Sequence, residues 1–162
     1  MSGQQIFELV LRWLHMFGAA GLLGGLLFMR LALLPSLSGL SEEERTKLFS
    51  AAARKFSPWV GVFAACVLLG GIYNMMGARN FEFPGKYYHP VVGVKFLLAL
   101  AAIGLISMLC GRTASAERLR KNARLWLDLC LLLTLAVVMM GGLLKIAERT
   151  PKTAETTTAQ PS

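Results

Sequence analysis

Residues 11–30, LRWLHMFGAAGLLGGLLFMR, decide the fold. His15 and Arg30 aside, the stretch is built for lipid. Its apolar run, Trp13–Leu34, reaches the roughly 20 residues that a helix needs to cross about 30 Å of hydrocarbon. Three further runs of similar length follow, Trp59–Met76, Val91–Leu109 and Leu125–Ile146, and together they use most of the 162 residues. A chain that is 55% hydrophobic and 16% charged, with mean hydropathy +0.55, is too apolar for an ordinary soluble domain. The expected fold class is therefore all-α: an integral membrane four-helix bundle whose environment is a lipid bilayer.

The spans are expected at about 8–35, 58–77, 90–110 and 124–146 within a single domain, 1–149. The first run lacks a basic leader, exceeds the usual 7–15-residue signal core and carries His15 and Arg30, so it reads as a retained span. Between spans one and two, Ser41 and Glu44 form a capping-box pattern that opens a short helix over about 41–55. Leu48, Ala52 and Phe56 share one face of it, as an interfacial helix on a bilayer requires. Ser57-Pro58 is expected to restart the chain, and His89-Pro90 repeats that device before span three. The polar segment 150–162 reads as a disordered tail.

Charge sets the topology. With four spans, both termini and the 77–89 loop share one side, here side A. Side B carries nine basic residues (Arg45, Lys47, Arg54, Lys55, Arg112, Arg118, Arg120, Lys121, Arg124) against six on side A (Arg12, Arg79, Lys86, Lys145, Arg149, Lys152). The positive-inside rule puts side B in the cytoplasm and both termini in the periplasm of a bacterial-type inner membrane. Trp13, Tyr87 and Tyr88 on side A, with Trp59 and Trp126 on side B, mark the interfaces. The net charge of +8 is thus explained by lipid and topology, and no nucleic-acid partner is expected.

Helical spacing aligns His15, Gly18, Leu22, Gly25 and Met29 on one seam of span one, where small residues let a neighbouring backbone approach. Trp59, Phe63, Cys66, Gly70 and Tyr73 align in span two, and Asp128, Leu132, Leu135, Met139 and Gly142 in span four. The side A half then gathers His15, Tyr73, Asn74, His89 and Lys95 as candidate cofactor-binding residues. His15 with Met16, Met75, Met76, Met139 and Met140 forms a candidate metal set. Imidazole beside soft thioethers suits Cu(I) or the edge of a haem. Intramembrane ionisable groups such as His15 and Lys95 are functional candidates, against the plainer readings of an interhelical hydrogen bond and a snorkelling ammonium. Arg30 and Asp128 read as a structural ion pair holding spans one and four. Cys66, Cys110 and Cys130 follow no zinc or disulfide spacing and read as packing residues. No nucleophile-base set, phosphate loop or catalytic carboxylate pair is present, which disfavours a hydrolase or kinase.

The order of these segments resembles a known family. WLHMFGAAGLLGGLLF (13–28) with Arg30-Leu31, RKFSPWVGVFAACVLLGGIYN (54–74), and GVKFLLALAA (93–102) followed by CGR (110–112) resemble the copper-resistance D (CopD)-like membrane domain. The pattern is also similar to the HemJ-type protoporphyrinogen oxidases, which share the early histidine of span one and the lysine of span three. The first resemblance implies an inner-membrane protein that binds or passes copper from the periplasmic side. The second implies an oxidoreductase with haem b, His15 matching the ligand and Lys95 the functional lysine; a haem reading of the bundle adds His89 as a candidate second axial ligand and Arg12, Lys86 or Arg79 near the propionates. A third expectation is a non-catalytic subunit of a homo-oligomer or larger membrane complex.

Overall fold

The computed structural model describes residues 2–78, 81–82, 88–146 and 150–151, with side chains for 2–76 and 90–143. Helix α1, Gly3–Leu27, starts five residues before the expected span because Ser2 and Gln5 cap it reciprocally. The Ser2 hydroxyl accepts the Gln5 N–H at 3.4 Å while the Ser2 N–H donates to the Gln5 side chain at 3.0 Å. The helix continues through a π-helical turn, Phe28–Leu33, into α2, Leu34–Ser36. There the Leu34 N–H reaches back five residues to the Met29 carbonyl. Pro35 follows, with no N–H to give, and the Ser36 hydroxyl donates to the Ala32 and Leu33 carbonyls.

Helix α3 runs unbroken over Glu42–Ala78. The Ser41–Glu44 capping box forms as the sequence indicates: the Ser41 hydroxyl accepts the Glu44 N–H at 3.4 Å, and the Ser41 N–H donates to the Glu44 carboxylate at 3.1 Å. The expected restart at Ser57-Pro58 does not occur; Pro58 lies inside the helix. The interior proline forfeits one backbone bond, yet the buried stripe Phe49, Ala53 and Val60 continues across it and holds both halves in one helix. Segment 41–55 is thus the first part of a 37-residue helix, not a separate interfacial one. On the face shared by Leu48, Ala52 and Phe56, Leu48 is 49% exposed and the other two are half-buried, and the side chain of this turn that enters the core is Phe49.

Helices α4 (Tyr88–Cys110), α5 (Ala114–Lys121) and α6 (Ala123–Ile146) complete the chain. Thr113 caps α5 by accepting the Ala116 N–H at 3.3 Å. Two residues, β1 (Phe81–Glu82), pair antiparallel with β2 (Thr150–Pro151). The expected tail beyond Pro151 and the loop cations Arg79, Lys86 and Arg149 lie outside the described residues.

Among the described residues four helical stretches are long and apolar enough to cross a membrane: Gly3–Ser36, Glu42–Met76, Pro90–Cys110 and Ala123–Leu143. The fold is all-α, and its apolar outer surface calls for lipid. Large apolar side chains such as Phe28, Leu97 and Leu143 point outward.

The packed core sits towards side B. Leu26, Met29, Phe49, Ala53, Val60, Ile106, Leu109, Cys110, Leu127 and Cys130 close it, so Cys110 and Cys130 pack there, unbonded, as expected, while Cys66 is half-buried outside this cluster. Arg120 is 3% exposed at its edge. Its guanidinium donates to the Leu109 carbonyl at 2.9 Å and to the Gly111 carbonyl, which ties α5 to the end of α4. Burial, with help from nearby Arg54, moves its pKa down from the ordinary arginine value; a guanidinium stays charged regardless. Towards side A, full burial among the described side chains ends at Gly18, Gly70, Ala102 and Cys130. Among the described side chains, burial is complete towards side B and partial towards side A.

The expected seam of span four is corrected. Leu132, Leu135 and Met139 are 66%, 50% and 62% exposed, whereas Ala123, Leu127 and Cys130 are buried. In a span apolar on every side, several faces satisfy the same 3,4 spacing, and hydropathy has no contrast with which to choose between them.

Candidate functional site

The seam of span one faces inward as its spacing indicates. Gly18, Leu22 and Met29 are buried, and His15 and Gly25 are half-buried. Helix α3 lies against it in antiparallel register. A Cβ on Gly18 would stand 2.6 Å from the Phe63 carbonyl oxygen, and one on Gly21 would meet the Phe63 ring. From the other side, a Cβ on Gly70 would stand 2.5 Å from His15 Cβ and 2.7 Å from the Leu11 carbonyl oxygen. Only glycine permits these approaches, the small-residue packing by which membrane helices associate.

That closeness positions His15. Its Nδ1 lies 2.8 Å from the Val67 carbonyl oxygen of α3. A carbonyl only accepts, so Nδ1 carries the proton; in the neutral ring Nε2 then holds the free lone pair. The interhelical hydrogen bond, one of the readings open in the sequence, is therefore made, and it has the form that orients ligating histidines elsewhere.

The remaining candidates do not converge on His15. Tyr73 is half-buried, packs edge-on to Phe7 with ring centroids 5.6 Å apart, and donates its hydroxyl to Glu8 at 3.4 Å. Asn74 is exposed. Met16, Met75, Met76 and Met139 point outward at 60%, 39%, 57% and 62% exposure, and Met140 is half-buried. Register separates them further. Tyr73 is level with Phe7 and Glu8, so Met75 and Met76 lie level with the first turn of α1, about 16 Å along the axis from Met16. The sequence placed these thioethers at one depth; antiparallel packing and the direction of each side chain keep them apart.

Lys95 of α4 is half-buried against α6, where a Cβ on Gly141 would stand 3.1 Å from its Nζ. Among the described residues no carboxylate lies within 4 Å of it. His89 falls within α4, but its side chain lies outside the described residues. Groups of three or more His, Cys, Asp or Glu able to hold a metal ion are absent among the described residues.

At the side B end, Arg30 and Asp128 form the expected pair, Nε to Oδ1 at 2.5 Å and the second nitrogen to Oδ2 at 3.2 Å. Arg30 sits inside the π-helical turn, whose wider winding re-aims the residues that follow. That turn had no signal in the sequence except Pro35 just beyond it. The Glu8–Tyr73 contact was also missed; six apolar-rich residues separate Glu8 from His15, and nothing in the spacing marks the glutamate as part of the bundle.

No family model, curated protein or solved structure matches this chain.

Proposed function

We propose that this chain is a multi-pass protein of a bacterial-type inner membrane, both termini periplasmic, that binds haem b with His15 Nε2 as iron ligand. One observation carries the reading: His15 is held between α1 and α3 by its Nδ1 proton, which leaves Nε2 as a fixed lone pair in a half-buried apolar setting. Haem asks the protein for one strong axial donor and apolar walls; His15 would supply the first, and half-buried apolar side chains beside it such as Phe63 and Val67 would contribute to the second. Arg12, one turn before His15 and exposed, is a described cation available to a propionate. Bound haem would supply one-electron redox chemistry. The chain's own part is to fix the imidazole tautomer and to hold the ring in place against the α1–α3 seam. The HemJ-type resemblance of His15 and Lys95 agrees with this reading.

Copper is the second reading, favoured by the CopD-like order of segments. The donor set fits it less well. A Cu(I) centre wants two or more soft or imidazole ligands on one ion, and the thioethers of Met16, Met75, Met76 and Met139 face away from the α1–α3 seam. Copper held by this chain would draw on outward methionines of a second copy.

Metal and haem analysis of detergent-purified protein from haem-replete, copper-supplemented cells separates the readings. The proposal expects haem iron near one per chain; copper without haem would overturn it, and neither would favour an assembly subunit.

A further inference from the structure

The side B end holds a cleft of about 1140 Å³ between the end of α1–α2, the start of α3 and the α5–α6 junction. Five cations line it, and two are already engaged: Arg30 is paired with Asp128, and Arg120 is turned to the Leu109 and Gly111 carbonyls. The other three, Arg45, Lys121 and Arg124, come from three different helices and are exposed. None of them has a carboxylate within 4 Å among the described residues. The opposite part of the lining is apolar. Leu125, Leu129 and Leu132 of α6 are 62%, 39% and 66% exposed and continue from the cationic mouth along the outer face of the span.

We propose that this cleft is a binding site for one anionic phospholipid, its phosphate seated among Arg45, Lys121 and Arg124 and an acyl chain along Leu125, Leu129 and Leu132. Charge complementarity selects an anion, and guanidiniums suit phosphate oxygens because they present parallel N–H donors. The apolar wall selects an amphiphile over a free ion. General attraction between lysines or arginines and anionic headgroups depends on how many charges lie near the surface rather than on which residues carry them. A built site differs in being stoichiometric and in depending on these three cations rather than on any three.

The test uses the full chain in mild detergent, with dioleoylphosphatidylglycerol as probe and native mass spectrometry as readout. One lipid per chain is expected to survive activation, with dioleoylphosphatidylcholine lost at least tenfold more readily. The triple change Arg45→Gln, Lys121→Gln, Arg124→Gln should abolish retention, and Arg124→Gln alone should weaken it several-fold. Removing equal charge outside the cleft, by Lys47→Gln, Arg112→Gln and Arg118→Gln, should leave it unchanged. Leu129→Gln should weaken lipid retention although it leaves all three cations in place. Equal loss in the two triple variants would overturn the proposal, because general surface charge would then suffice. Competition by inorganic phosphate at the same concentration as lipid would also overturn it, because the site would then take a free anion.

Discussion

The Asp128 carboxylate accepts two hydrogen bonds from Arg30 across 98 residues of chain, from Nε at 2.5 Å and from the second nitrogen at 3.2 Å. The pair joins α6 to the π-helical turn after α1 at the rim of the side B core. A fork-to-carboxylate pair of this kind fixes geometry more than it adds stability, because each partner forgoes water or headgroup contacts to form it. Removing one partner strands the other. Asp128→Asn and Arg30→Met are each expected to lower the melting temperature in detergent more than the double variant Arg30→Met/Asp128→Leu does. Additive losses, with the double variant worst, would show that the pair is not a unit.

Glycines predict the opposite signs of two substitutions. Gly70→Ala puts a methyl 2.5 Å from His15 Cβ and 2.7 Å from a backbone oxygen, so the helices must part, at about 1–3 kcal/mol. Gly24 and Gly61 have nothing within 4 Å of a Cβ, and Gly→Ala there should be neutral or stabilising by up to about 1 kcal/mol. Thermal unfolding in one detergent ranks the three.

Arg120 should not tolerate a conservative change. Two carbonyls at the end of α4 accept from its guanidinium, and hydrogen bonds to a charged group are worth about 1.5–3 kcal/mol. Arg120→Met is expected to lose about that much, and Arg120→Lys should recover little, since an ammonium lacks the fork that serves both oxygens. Full recovery by lysine would mean that only the charge matters.

Topology is tested by labelling. With the native cysteines replaced, single cysteines at Lys47 and Arg112 should react with membrane-impermeant maleimide only in inverted vesicles, and one at Ser2 only in spheroplasts. The reverse pattern would place side B outside and contradict the positive-inside assignment.

The sequence made some features plain and hid others for identifiable reasons. Four apolar runs, the Ser41 box, the His15–Met29 seam and the Arg30–Asp128 pair were readable, since each is a local pattern or a lone charge in lipid with one sensible partner. The continuity of α3 through Pro58 was not readable, because it depends on a buried stripe formed with other helices. The inward face of α6 was hidden by uniform hydropathy. The dispersal of the methionines followed from antiparallel register, which no single span encodes. His15 was singled out by its rarity in lipid, yet its partner is a backbone carbonyl, and no residue type at position 67 could have signalled that.

The central claim is that His15 is a pre-oriented ligand. Its most direct test is the absorption spectrum of protein purified from haem-replete cells, wild type beside His15→Ala, with folding of both checked by helical circular dichroism. A Soret band in the wild type, lost in a variant that keeps its helicity, is the predicted result. A wild type with no Soret band, or a band that survives His15→Ala unchanged, would contradict it.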